Sequence, residues 1–433
     1  GAYAGDALTT GVENVAVGYE ALSTEDAHGK NVAIGRRALK LLNAGADGLN
    51  TAVGHQAGAA MTTGTHNTVL GASAGAALTS GGFNVALGYQ ALTTQNADAD
   101  TYNVAIGFNA GLSVSTGVQN TLIGGLAGDS LNTGNYNVAV GYESLGLTTL
   151  GASNVAVGNF ALNENVKTNA NVAIGQQALQ SNIGDGSTDN QLTYNTAVGY
   201  FAGKEITSGV QNTLIGGQAG DALETGQANV ALGYKALEDA TSANYNIALG
   251  AQALLQITTG DQNVAVGYNA LSSDLQGGRS VAIGDSALAT LNVGNANSYN
   301  VAIGYTAGTA ITTGIQNTLI GGLAGDGISL GANNVALGYL SLSAVNAGSK
   351  SVAIGSGALQ IQQPAFVLAS GGGAASYNSG SPTISHAANS NVVTGMRVTS
   401  SKTGIPADSF VGATVDTGGA NDTFTLVNAV GSA

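Results

Sequence analysis

Residues 14–18 read Asn-Val-Ala-Val-Gly, and residues 351–355 close a long series of such units with Ser-Val-Ala-Ile-Gly. In twenty places an Asn or Ser is followed four residues later by Gly, with Val, Ile or Leu just before that Gly. The usual distance between successive units is 17 residues. A short fixed period is typical of one structural unit stacked many times, so the series predicts a solenoid.

Each unit predicts one short β-strand. In the first unit, Val15 and Val17 lie on one face of the strand and Ala16 lies on the other. Position four is Val, Ile or Leu in all twenty units, and position three is Ala in sixteen. Because a strand that is apolar on both faces is buried on both, we expect the larger residues to fill the inside of the coil. The alanine face is then predicted to meet another copy of the chain across a tight gap.

Two further positions of the unit are almost constant. Gly stands at position five of every unit, as in Gly18 and Gly35, which predicts a positive φ or a place where a Cβ would clash. Asn opens eighteen of the units. Stacked coils place these amides one above another at strand spacing, so we expect a ladder of hydrogen bonds at this turn.

The period lengthens at four places, from residue 31 to 50, 84 to 103, 171 to 195 and 280 to 300. Each insertion falls just before the next unit, so all four loops are predicted to project from one corner of the coil. Loops on a rigid scaffold are where recognition concentrates, and the alternative is a decoration with no binding role. The candidate receptor-contact residues in these loops are Asp47, Asp98, Asp100, Asp185, Asp189 and Asn295.

Each insertion is followed by two coils that end in Ala-Gly, where most coils end in Ala-Leu. The second coil of each pair also carries a bulky residue in place of the alanine at position three. A bulky residue in a gap between chains would lock the register of an oligomer, so these residues are candidates for the axis of a trimer. They are Val69, Leu122, Leu214 and Leu319.

Aromatic residues follow the corner Gly in many units. Exposed tyrosine rings can stack on sugar rings. The alternative, which we favour, is that these rings cover the coil corners and stiffen the rod. The residues are Tyr19, Tyr89, Phe108, Tyr142, Tyr200, Tyr234, Tyr268, Tyr305 and Tyr339.

Composition excludes several classes of protein. The chain has 433 residues with 67 Gly, no Cys, 8% charged residues and a net charge of −14. The lack of Cys removes disulfides and thiolate metal sites, and 11 Lys and Arg make no basic stripe for nucleic acid. No apolar run approaches the ~20 residues of a membrane helix, so membrane insertion is not expected. Residues 4–8 match residues 219–223 in mid-coil, so we expect the chain to be a piece of a longer polypeptide.

The sequence contains no constellation that indicates catalysis. His55 and His66 have only Asp47 as a further ligand nearby, and a metal site needs more. Gly-Gly-Leu-Ala-Gly-Asp at residues 124–129 lacks the spacing and repetition of the calcium nonapeptide. There is no phosphate loop and no nucleophile elbow. We therefore predict no enzyme, no cofactor and no metal, although the pair Asp98 and Asp100 is the first to test for glycoside cleavage.

The period ends after Leu359, and all three prolines lie beyond it. Residues 1–360 are thus predicted to form one solenoid, residues 361–390 a linker that contains Gly, Ser and Pro, and residues 391–433 a small β module. At ~4.8 Å per coil, twenty coils make a rod roughly 95 Å long.

The units Asn-Val-Ala-Ile-Gly that begin at residues 31, 103, 171 and 300 resemble the head repeats of trimeric autotransporter adhesins. Those heads are trimers of left-handed parallel β-rolls with a shorter repeat, and similar coils occur in long tail fibres of bacteriophages. The resemblance covers about 360 of the 433 residues. Residues 395–398, 404–407 and 422–426 look like a small β module common in phage tail and virion proteins.

The resemblance implies an all-β chain that forms a left-handed parallel β-solenoid, or β-roll, of about 20 coils and assembles as a homotrimer. It implies a non-enzymatic tail fibre of a virion that attaches to a glycan or protein receptor on the host surface. The first alternative is the head of a trimeric adhesin on a bacterial cell surface, and a polysaccharide depolymerase ranks third. An ice-binding solenoid ranks fourth, because Thr follows the leading Asn in only six units.

Overall fold

A computed structural model describes residues 1–97, 99–185, 191–343 and 348–360, and the strands at 376–377, 383–387, 397–398, 409–415 and 421–427. Twenty three-residue strands, one in each coil, form a single sheet. Every strand pairs in parallel with the next, and Val138, for example, stands beside Val155. The all-β parallel solenoid with a 17-residue period is therefore confirmed. In this described part of the chain, no helix is long and apolar enough to cross a membrane.

The strands are numbered in chain order. They are β1 Val15–Val17, β2 Val32–Ile34, β3 Thr51–Val53, β4 Thr68–Leu70, β5 Val85–Leu87, β6 Val104–Ile106, β7 Thr121–Ile123, β8 Val138–Val140, β9 Val155–Val157, β10 Val172–Ile174, β11 Thr196–Val198, β12 Thr213–Ile215, β13 Val230–Leu232, β14 Ile247–Leu249, β15 Val264–Val266, β16 Val281–Ile283, β17 Val301–Ile303, β18 Thr318–Ile320, β19 Val335–Leu337, β20 Val352–Ile354, β21 Ser376–Tyr377, β22 Thr383–Ala387, β23 Arg397–Val398, β24 Ser409–Val415 and β25 Asn421–Val427.

The last five strands form a separate antiparallel sheet in the order β21-β22-β25-β24-β23. Strands β21 and β22 fall within residues 361–390, the stretch that the sequence analysis assigns to a linker. The boundaries 361–390 and 391–433 stay predictions.

The two faces of each solenoid strand are the reverse of the prediction. Ala139 and Ala156 are fully buried inside the coil of a single chain. The larger residues on either side of each alanine point outward, and Val15 and Val17 are exposed. In coils that end in Ala-Leu, the interior has room only for a methyl group at position three, because the leucine at position nine, such as Leu145, is itself fully buried there.

The bulky residues proposed for a trimer axis also lie inside the chain. Val69 is 1% exposed and Leu122, Leu214 and Leu319 are 0% exposed, so the proposal that they fill a gap between chains is wrong. A Cβ added to Gly128 would lie 2.9 Å from Cδ2 of Leu122, and one added to Gly111 would lie 2.8 Å from its Cδ1. Leu122 thus fills the space that two glycines leave free in its own coil and the preceding one.

The corner glycines meet both conditions that the sequence predicts. Gly141 has φ 138°, a conformation that side chains rarely adopt, and a Cβ placed there would lie 2.6 Å from the Gly158 carbonyl oxygen of the next coil. The corners of successive coils therefore touch through the backbone alone.

The predicted asparagine ladder is confirmed. The backbone N–H of Asn154 donates to Oδ1 of Asn137 at 3.0 Å, and Nδ2 of Asn137 donates to the Gly151 carbonyl at 2.9 Å. Each amide thus joins its own coil to the next and to the turn between them. Both Asn137 and Asn154 are fully buried, as are nearly all of their counterparts.

Candidate functional site

The outer face of the sheet is a continuous apolar stripe. Positions two and four of the twenty units hold only Val, Ile, Leu or Thr. Because all strands pair in register, these side chains form two rows that run the length of the solenoid. Among the exposed members are Val17 (53%), Leu232 (48%) and Ile354 (68%). We call these two rows the apolar stripe.

The four insertion loops leave the coil at the same corner, just before the asparagine ladder. The hydroxyl of Thr101 donates to Asn84 Oδ1 at 2.7 Å, and the hydroxyl of Thr193 donates to Asn171 Oδ1 at 2.7 Å. In the fourth loop the Ser298 hydroxyl bonds to the hydroxyl of Ser280, which replaces the ladder Asn. Three loops are thus pinned to the rigid ladder at the point where they rejoin the coil.

The sequence analysis missed these pinning hydroxyls. Their signal is a Ser or Thr two residues before the Asn that follows an insertion. In the fourth loop the Ser298 hydroxyl also accepts the backbone N–H of Asn300 at 3.2 Å, so it restores the step of the ladder that Ser280 interrupts. The pinned ends show why loops of different length leave the register of the coils unchanged.

The structure places four of the predicted receptor-contact residues on exposed parts of different loops. Asp47 pairs with Lys30 at 2.7 Å, and Asp100 projects over Gly82 of the preceding coil. Asp185 and Asn295 are exposed in the third and fourth loops. Because each loop belongs to a different coil, these residues are spread along the solenoid. Asp98 and Asp189 lie outside the described residues.

Aromatic side chains form columns along the solenoid. His66 stacks on Phe83 with ring centroids 4.5 Å apart, and Phe83 stacks on Tyr102 at 5.0 Å. On the other side of the strand, Tyr89 stacks on Phe108 at 5.7 Å. These stacks join successive coils, as the stiffening interpretation expects, while much of each ring stays exposed.

Within the described ranges, one group of side chains has ligand atoms close enough to share a cation, namely Glu25, Asp26 and His28. Glu25 is fully buried, and both of its oxygens already accept backbone N–H groups, from His28 at 3.1 Å and from Ala44 at 3.3 Å. These bonds tie the turn to the first insertion loop. His55 instead contacts the Arg36 guanidinium at 3.1 Å, so His55 and His66 have separate partners.

A buried carboxyl group lies inside the fifteenth coil. Asp274 is fully buried between Ile257 and Leu291, which hold the same position in the coils on either side. Its Oδ1 accepts the Gly277 N–H at 3.0 Å, while Oδ2 has no hydrogen-bond partner among the described residues. Burial raises the pKa of Asp274 to about 6, although backbone N–H groups oppose the shift.

Asp274→Asn is expected to stabilise the solenoid at pH 7.5 and to change little at pH 3.5. The folded pKa lies above the unfolded value, so the stability penalty is absent below about pH 4 and grows until the pH passes about 6. The rise of the Asp274 pKa from 3.8 to about 6 corresponds to roughly 3 kcal/mol of stability at most. Urea unfolding at the two pH values measures the difference, with Asp285→Asn at an exposed position as control. An equal effect of Asp274→Asn at both pH values would contradict the prediction.

Comparisons with protein-family models, with curated proteins and with solved structures give no match.

Proposed function

We propose that this chain is a structural, non-enzymatic fibre of a phage tail that assembles as a homotrimer and attaches the virion to the host cell surface. The apolar stripe carries the proposal, because it holds no charged residue in any of the twenty coils. Soluble proteins rarely leave an apolar surface of such length uncovered. Further copies of the same chain around a common axis would cover it with a surface of the same length and period.

The attachment role is supported by the insertion loops. They are polar, they share one corner of the coil, and three are fixed to the ladder by hydroxyl groups. A long rigid scaffold that holds exposed loops suits the recognition of a glycan or protein receptor at a cell surface. The left-handed sense of the coil and a C-terminal module at residues 391–433 belong to the same proposal and rest on the resemblance to adhesin heads and phage proteins.

A charge placed on the apolar stripe is expected to break the assembly. In Val230→Asp/Leu232→Asp, two outward residues of β13 become charged groups that lose their hydration when copies associate. We expect dissociation to monomers with an affinity at least tenfold lower. Sedimentation velocity measures the assembly, and Leu147→Asp, at an exposed turn residue, is the control. A wild-type chain that sediments as a monomer would contradict the homotrimer.

The biological context has its own test. Gold-labelled antibody against the purified rod is expected to decorate the tails of phage particles. Label confined to a bacterial outer surface would instead assign the chain to the head of a trimeric adhesin, whose repeats these coils resemble. Release of reducing sugar from host polysaccharide by the purified chain would contradict a non-enzymatic role and favour a depolymerase.

A further inference from the structure

Between coils 11 and 19, a tyrosine stands in every second coil directly after the corner glycine. The coils between them carry Gly, Ala, Asp and Gly at this position. Strands β11 to β19 pair in register, so these positions lie in one column along the solenoid. Each of these tyrosines is 51–62% exposed. The tyrosine column consists of Tyr200, Tyr234, Tyr268, Tyr305 and Tyr339.

The fold does not require the glycines within this column. A Cβ on Gly217 would lie 3.6 Å from Cδ2 of Tyr234, and a Cβ on Gly322 would lie 3.5 Å from Cδ2 of Tyr339, which are ordinary van der Waals contacts. Neither glycine has a positive φ, whereas the adjacent corner Gly216 has φ 138°. Each tyrosine ring lies against the glycine of the preceding coil, so a larger side chain at Gly217 or Gly322 would cover part of that ring.

The column differs from the apolar stripe in a way that indicates contact with solvent. The same position in other coils holds charged and polar residues, including Arg36, Gln176 and, within the column, Asp285. A surface buried between copies of the chain would exclude charged side chains, as positions two and four do in all twenty coils. The tyrosines are thus available to a ligand in the assembled fibre.

The two lysines beside the column are paired with carboxylates, and Asp285 adds a negative charge within the column. Lys235 lies 5.6 Å from the ring centroid of Tyr234, and Lys204 lies 5.2 Å from that of Phe201, which stacks on Tyr200. Lys235 pairs with Glu238 and Lys204 with Glu205, at 2.9 and 2.6 Å. With a net charge of −14 for the chain, this arrangement favours a neutral ligand over a polyanion.

We propose that the tyrosine column binds a neutral, extended polysaccharide that lies along the fibre. Successive tyrosines are two coils apart, roughly 9.6 Å at strand spacing. This distance suits the disaccharide repeat of an extended β-1,4-linked glycan, so that alternate sugars stack on successive rings through their apolar faces. The assignment gives the proposed attachment role a class of ligand, and it uses a surface distinct from the insertion loops.

Calorimetric titration with cellohexaose, chitohexaose and xylohexaose tests the assignment. At least one of them is expected to bind, while maltohexaose, a neutral hexasaccharide that curves, binds at least tenfold more weakly. Tyr234→Ala/Tyr268→Ala is expected to lower the affinity at least tenfold. Gly217→Phe, which fills the space between two rings but keeps both, is expected to weaken binding in the same direction. The control is Tyr136→Ala/Tyr245→Ala, which removes two equally exposed rings that lie outside the column.

The proposal would be overturned by no binding of any extended hexasaccharide, by equal binding of maltohexaose, or by unchanged affinity in Tyr234→Ala/Tyr268→Ala. Loss of the wild-type assembly state in that variant would also overturn it, because the rings would then lie between copies of the chain. Adsorption of the purified fibre to bacterial cells is measured in parallel. Cells that bind the fibre when no hexasaccharide does would leave the attachment role standing and remove only this ligand.

Discussion

Leu122→Ala is expected to destabilise the solenoid by about 3 to 5 kcal/mol, because it opens a cavity in the middle of the coil. Leu122 is fully buried and covers two glycines, Gly111 and Gly128, that supply no side chain of their own. The lining cannot collapse, since each neighbouring coil is held by backbone hydrogen bonds at fixed spacing. Urea unfolding measures the loss, and Leu147→Ala, at an exposed leucine, is the matched control.

The same cavity can be filled from another position. Gly128 has φ 58°, and Leu145, its counterpart in the next coil, has φ 51°, so the backbone already accepts leucine there. Gly128→Leu alone is expected to clash with Leu122 and to destabilise the chain, at a cost of about 1 to 3 kcal/mol. Leu122→Ala/Gly128→Leu converts the coil to the common Ala-Leu type and should recover most of the stability. Additive losses in the double variant would contradict this account of the packing.

The sequence was sufficient to predict the elements that repeat. The period places a strand at Val138–Val140, the constant Gly141 indicates a corner that only glycine can adopt, and the recurring Asn137 indicates the ladder. The strand, the corner glycine and the ladder asparagine all recur in the neighbouring coils. A short sequence pattern is therefore enough to predict the contacts between adjacent coils.

The sequence did not show which face of the strand points inward. Val138 and Ala139 are both apolar, so alternation alone leaves two possibilities. The deciding fact is volume: the leucine of the Ala-Leu pair fills the interior and leaves space for alanine only. The occurrence of Leu122 together with Gly128 indicates that positions three and nine share one interior space. The sequence analysis instead assigned Leu122 to a gap between chains.

The functional surfaces were predicted less completely than the fold. The exposure of Asp47 follows from its place in the first insertion. The role of the Thr101 hydroxyl, which pins the second insertion loop, could be predicted only by knowing where the ladder runs. The spacing of Tyr234 and Tyr268 is visible in the sequence, yet their common column depends on the register of the coils.

Asn137→Ala is expected to cost about 4 kcal/mol, nearly as much as the cavity. It leaves the Asn154 N–H without its acceptor and the Gly151 carbonyl without its donor, in a region that water does not reach. Each buried group without a partner costs about 1 to 3 kcal/mol. Asn159→Ala, at an exposed position outside the ladder, is the control and should stay within about 0.5 kcal/mol of the wild type.

Amide hydrogen exchange locates the effect of Asn137→Ala within the rod. In a solenoid each coil contacts only its neighbours, so faster exchange should be concentrated in coils 7 to 9 and should fade toward both ends. Asn137→Asp keeps an acceptor for the Asn154 N–H but turns the donor toward Gly151 into a second acceptor, and it should be no more stable than Asn137→Ala. Uniform exchange along the rod would contradict this account. A loss in the free energy of unfolding no larger than that of Asn159→Ala would likewise show that the side-chain amides do not stabilise the stacking of coils.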